Sequence, residues 1–146
     1  MLSPNRTEIL QHFTKENSPL PTSSVKTIGI DNATGKVYLG TLTGMVVFQG
    51  DAYAESEKLS EVSVFPNPVR PNYTGNMVVR GLQQDARVKI TDIAGNLVYE
   101  TTSEGGSISW DFRSFSGQRV RSGVYLIFVS SKDGLDSAVK KVMIVN

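Results

Sequence analysis

Cysteine is absent from the 146 residues and histidine occurs once, as His12. The first absence removes disulfides, thiolate nucleophiles and cysteine-held metals together, and it leaves the compartment open because many exported proteins also lack cysteine. The second leaves a catalytic triad, a histidine-rich metal centre and a zinc-activated water without their parts. No sign of charge dominates either: 15 Lys and Arg face 14 Asp and Glu, for a net charge of +1, and the basic residues form no block. The electrostatic footprint of a nucleic-acid binder is therefore missing. No apolar run approaches the roughly 20 residues that span a bilayer, and MLSPNRTEIL lacks the charged start and apolar stretch of a secretory signal. The expectation is a chain that spans no membrane, binds no nucleic acid, needs no cofactor or metal and has no catalytic residues.

What remains is a globular balance, with 39% hydrophobic and 20% charged residues, in a length suited to two small domains. Helical periodicity is scarce. Short alternating runs of Val, Ile, Tyr, Phe and Thr recur between Gly, Asn, Asp and Pro, which predicts an all-β protein. In the first part the strands are expected at 8–14, 25–30, 36–41 and 45–48, with Asn32, Gly35 and Gly44 at turn positions that need a positive φ. The polar, acidic GDAYAESEKLSE then predicts a connection, and any helix, under about a tenth of the chain, belongs at 52–60. Beyond it seven strands are expected, at 62–65, 76–80, 87–92, 96–102, 107–112, 123–130 and 138–145. That is the pattern of an immunoglobulin-like β-sandwich without its paired cysteines. The domain organisation read this way is 1–52, a linker at 53–60, and 61–146.

Within the second part, Val88 and Ile90 share one face and Lys89 and Thr91 the other, while Leu97 and Tyr99 form the expected core pair of the next strand. Pro66 and Pro68 cannot donate to a ladder, so Pro66-Asn67-Pro68 ends the first strand or forces it to an edge. Trp110 alternates with Ile108 and Phe112, which predicts a buried indole rather than a sugar-stacking platform. Gly123 lets the chain turn into a strand that is apolar on both faces and hence central: Tyr125, Ile127 and Val129 against Val124, Leu126 and Phe128. In AVKKVMIVN, Lys140 and Lys141 can guard an edge against unwanted pairing. Asp31, Asp51, Asp92, Asp111 and Asp133 lie in turns without EF-hand spacing.

The ordered motifs PNPV (66–69), TDIAGNLV (91–98), SWD (109–111), SGVYLIF (122–128) and KKVMIVN (140–146) resemble the C-terminal sorting domain of proteins exported by the Por, or type IX, secretion system of Bacteroidetes. The resemblance implies a non-enzymatic address that passes from the periplasm to the outer-membrane cell surface. The implied partners are the type IX translocon and sortase-complex proteins. It also implies that Pro66, Asn67, Pro68, Gly123, Tyr125, Lys140, Lys141, Val142, Ile144 and Val145 carry the sorting signal. The family commonly has Gly after WD, where this chain has Phe112, and that departure touches the loop RSFSGQRV.

In the first part, Leu20, Pro21, Ser24, Val25, Ile28, Asp31, Thr34, Gly35, Tyr38, Gly40, Thr41 and Gly44 match the blade signature of two-component-regulator-type β-propellers. That resemblance implies a terminal blade from a larger ring, and so a piece of a longer exported protein. The pairing of such a repeat with the sorting motifs resembles propeller-bearing accessories of the sortase complex, which implies a surface role in handling anionic lipopolysaccharide. A different class, an adhesion or carbohydrate-binding sandwich appended to a propeller sensor, is the alternative reading.

Overall fold

The computed structural model describes residues 12–50 and 53–146. The chain divides into two compact units, Met1–Gly50 and Asp51–Asn146. Among the described residues there is no α-helix, and three antiparallel sheets carry the structure.

The first unit holds a meander of β1 (Thr27–Asp31), β2 (Lys36–Thr41) and β3 (Gly44–Gln49). Asp31 closes the first turn, its carboxylate accepting from the Ala33 amide at 3.0 Å and the Thr34 hydroxyl at 2.6 Å, and Gly35 follows at φ 71°. Of the strand expected at 8–14, residues 8–11 lie outside the described residues, and 12–14 are not strand. The reason is local. Asn17 Oδ1 accepts the Thr14 amide at 2.6 Å and the Ser18 hydroxyl donates to the Thr14 carbonyl at 2.5 Å, so side chains take the groups a ladder would use.

The second unit has a four-stranded sheet in the order β10-β9-β6-β7 and a three-stranded sheet in the order β4-β5-β8. Their bounds are β4 Ser63–Phe65, β5 Met77–Arg80, β6 Arg87–Asp92, β7 Leu97–Thr102, β8 Ser107–Trp110, β9 Gly123–Ser130 and β10 Ser137–Ile144. Period-2 alternation turns one face of each sheet inward. Met77, Val79, Ile108 and Trp110 from one sheet meet Val88, Ile90, Tyr125, Ile127, Val129, Val142 and Ile144 from the other in a single core. Trp110 is buried, as expected, and its Nε1 donates to the Arg113 carbonyl at 2.8 Å. β9 lies between β10 and β6, the central place its two apolar faces called for.

Two expectations fail for definable reasons. Leu97 is 43% exposed, while Val98 and Tyr99 both pack against the core. A β-bulge explains this: Ile90 pairs with Tyr99 but Thr91 pairs with Leu97, so Val98 is the extra residue and the alternation breaks there. The strand expected to reach 112 ends at Trp110, because Phe112 adopts φ 62° and leaves the extended region while its ring stays fully buried.

Residues 53–60 are fastened to the second unit. The Tyr53 carbonyl accepts from the Gly106 amide at 3.0 Å, and the Ser56 amide donates to the Leu82 carbonyl at 2.7 Å. Gly106 has to be glycine, since a Cβ there would overlap the Ala54 carbonyl. A 3-10 turn follows at Leu59–Glu61, overlapping the expected helical stretch at 59–60 and ending one residue beyond it. It buries Leu59, whose amide donates to Asp136 Oδ2 at 2.8 Å.

Candidate functional site

β4 pairs with β5 as far as Phe65, and the next residue, Pro66, has no N–H to continue the ladder. The chain kinks through Pro66-Asn67-Pro68, both prolines following cis peptide bonds, and then joins the other sheet. Asn67 makes the transfer. Its Nδ2 donates to the Lys141 carbonyl at 2.9 Å, and its Oδ1 accepts the Met143 amide at 3.2 Å. One side-chain amide thus serves two backbone groups that a neighbouring strand would serve. Val69 continues in true backbone form: its amide donates to the Met143 carbonyl at 2.8 Å, its carbonyl accepts the Val145 amide at 3.0 Å, and it pairs in parallel with Ile144. Val69 is fully buried and anchors the kink in the core.

The opposite side of β10 is closed by β9. Gly123 lies across from Ile144, and Tyr125 across from Val142. The Tyr125 ring sits edge-on to Trp110 with centroids 6.2 Å apart, and its hydroxyl donates to the Arg121 carbonyl at 2.9 Å. Burial, reinforced by the Asp92 carboxylate, pushes this phenol above its ordinary pKa, so it stays a neutral donor. Gly123 has no left-handed φ, and a Cβ there would meet only Tyr125 Cε2 at 3.9 Å, so no steric demand for glycine exists at this place.

The residues that the resemblance singled out are therefore gathered on both sides of one strand. Asn67, between Pro66 and Pro68, bonds to its outer edge, Gly123 and Tyr125 lie on its inner neighbour, and Val142 and Ile144 face the core. Lys140 shares the inward parity of those two and is half-buried at the rim, whereas Lys141 points to the outer face and is exposed, as is Val145. Neither lysine forms an ion pair among the described residues.

Reading along the sequence missed Val69 as the second anchor, and missed Val64, Leu126 and Val139, which with Asn67, Lys140 and Lys141 line a cleft of about 410 Å³ beside β10. The one available signal was the apolar residue directly after the second proline. No group of three or more His, Cys, Asp or Glu able to hold a metal occurs among the described residues. His12 is exposed, and its backbone carbonyl accepts from Asn17 Nδ2 at 2.7 Å. Among the described residues no helix is long and apolar enough to cross a membrane.

Residues 63–145 match the model of the secretion system C-terminal sorting domain, the Por secretion tail. Among solved structures, PorZ of Porphyromonas gingivalis, described as an essential bacterial surface component of its type IX secretion system, is 36% identical with a TM-score of 0.60. That match covers 99% of this chain and 20% of PorZ, so the chain spans about a fifth of the length of that relative. Dimeric latent PorU from the same organism is 24% identical with a TM-score of 0.46, over 75% of this chain and 12% of PorU. No curated protein sequence matches significantly. A sorting domain is a targeting domain rather than a catalytic one. With more than half of its residues within the family model, the chain belongs to the type IX (Por) secretion system C-terminal sorting domain family, whose members are exported to the cell surface.

Proposed function

We propose that residues 61–146 form an immunoglobulin-like sandwich whose β10 edge is the recognition element for the type IX translocon, and that 1–52 form a terminal propeller blade of a larger exported protein. The two facing sheets and the Tyr125 hydroxyl that reaches back four residues to Arg121 support the immunoglobulin-like reading. In this reading Pro66, Pro68, Gly123, Tyr125, Val142, Ile144 and Val145 shape the signal, Asn67 locks it, and Lys140 and Lys141 are displayed to the partner. The observation that carries it is the pair of hydrogen bonds at Asn67, one donated to the Lys141 carbonyl and one accepted from the Met143 amide, which ties the two halves of the sorting pattern into one surface. The likeness to PorZ supports a role as a surface component of the type IX secretion system, and the finer role, a sortase-complex accessory that handles anionic lipopolysaccharide, rests on what the sequence resemblance implies. The adhesion or carbohydrate-binding alternative has less behind it, because Trp110 is buried.

The test is deletion of residues 140–146 from the full-length parent, with location followed by fractionation. Retention in the periplasm is expected. Delivery to the surface at the normal level would overturn the reading. The double variant Lys140→Ala, Lys141→Ala separates recognition from folding, since neither lysine forms an ion pair among the described residues: lost export with unchanged melting assigns the lysines to recognition, and loss of both export and stability assigns them to the fold.

A further inference from the structure

β10 ends its sheet, and among the described residues the hydrogen bonds along its outer side are those made by Asn67 and Val69 to its C-terminal half. The Lys141 carbonyl, both Met143 backbone groups and the Val145 amide are taken by Asn67 and Val69. Backbone groups alternate in direction along a strand, so the amide and carbonyl of Val139 and the amide of Lys141 also point away from β9. Beside them lies the cleft of about 410 Å³, with Val64 and Lys140 on its inner side and Val139, Leu126 and Lys141 on its outer side. We propose that this cleft takes an extended, acidic segment of a partner protein as an added strand along β10.

Three features support that occupant. The chain's own residues 67–69 already pair with the neighbouring half of the same edge, so the edge is built to accept a strand. Main-chain hydrogen bonds supply affinity in such additions, and pockets for alternate side chains supply selectivity. The cleft offers a lysine on each face of the sheet, with apolar side chains between them and no carboxylate in its lining. A strand alternating apolar and acidic residues matches it, whereas a second copy of β10 would bring lysines against lysines. The inference deepens the sorting reading and rests on it only for the claim that the partner belongs to the secretion machinery.

The test uses the whole chain, a blocked Val-Glu-Val-Glu-Val peptide as probe, and amide hydrogen exchange by NMR. Saturating peptide is expected to slow the Val139 and Lys141 amides about tenfold while the Lys140 amide, already paired to β9, is unchanged. Lys140→Gln with Lys141→Gln should weaken the peptide about tenfold, and the corresponding Val-Lys-Val-Lys-Val peptide should not bind. Val139→Pro deletes the outward N–H of an edge position and should abolish the protection. Unchanged exchange at millimolar peptide overturns the proposal. So does protection in the chain alone with a doubled mass, which would name a second copy, or protection by phosphatidylglycerol vesicles alone. In the full-length parent, normal export of the Val139→Pro protein beside a retained 140–146 deletion would sink the added strand and leave the sorting reading intact. Normal export of the deletion would sink the sorting reading whatever the peptide does.

Discussion

Asn67 donates from its side-chain amide to the carbonyl of Lys141 at 2.9 Å, at a sequence separation of 74. Together with the bond its Oδ1 accepts from Met143, this contact does the work of a short strand from a residue held between two prolines that cannot donate. It places the kink and the last strand in one piece of surface.

Replacing Asn67 tests that contact. Asn67→Ala removes both bonds and is expected to lower stability by about 1 to 2 kcal/mol. Asn67→Asp should be worse, because a carboxylate only accepts and would face the Lys141 carbonyl without a donor. Chemical denaturation of the three proteins checks the order. An Asp variant as stable as wild type would show that the bond to Lys141 contributes nothing.

Trp110→Ala should destabilise the second unit by about 3 to 5 kcal/mol, the usual cost of emptying a large core site. The wild-type indole, stacked near Tyr99 at 6.0 Å and tilted against Phe112 at 5.5 Å, should resist quenching by iodide. A quenchable Trp110 with unchanged melting would restore the carbohydrate-binding alternative.

Phe112 offers an inversion of an ordinary rule. Its φ of 62° costs any residue with a Cβ about 1 to 2 kcal/mol, a cost that glycine avoids. Phe112→Ala and Phe112→Gly both lose the buried ring and should each cost several kcal/mol, roughly 3 to 5 before the backbone term. The glycine variant is nevertheless expected to be the more stable of the two by about 1 kcal/mol. Thermal melts of the pair decide it, and an alanine variant more stable than glycine would refute the backbone argument.

Acid should weaken the turn after β6. The Asn96 side-chain amide, then the Asn96 and Ala94 backbone amides, hold the Asp92 carboxyl below its ordinary pKa. With the folded value below the unfolded one, this contribution is present above about pH 4 and is lost as pH falls through the folded pKa. Asn96→Ala removes the largest cause, so the loss of melting temperature between about pH 4 and pH 2 should be shallower in the variant. Equal slopes would assign the acid response to other carboxylates such as Asp133, also lowered, chiefly by the Ser131 hydroxyl.

Much of the architecture was legible residue by residue. β2, β6 and β9 have the bounds that alternation and flanking turn residues predict, and the remaining strands shift by a residue or two at their ends. Of the candidate site, the residue identities came from the resemblance, and the fold decided that Val142 and Ile144 are on the face that turns inward. Leu97 and Phe112 were misread because a bulge and a positive φ are set by partners elsewhere: by the pairing of β6 with β7, and by a core that keeps the Phe112 ring inside.

What the sequence determined by itself is local: the all-β class, the strands and turns of the second unit, the buried Trp110, and the break at Pro66 and Pro68. Each follows from side-chain alternation, turn chemistry or a missing N–H within a few residues of chain. Which strands became neighbours was decided only in the folded protein. Asn67 reaches Lys141 because two sheets closing on one core bring residue 67 to residue 141, and no local pattern encodes a contact at that separation.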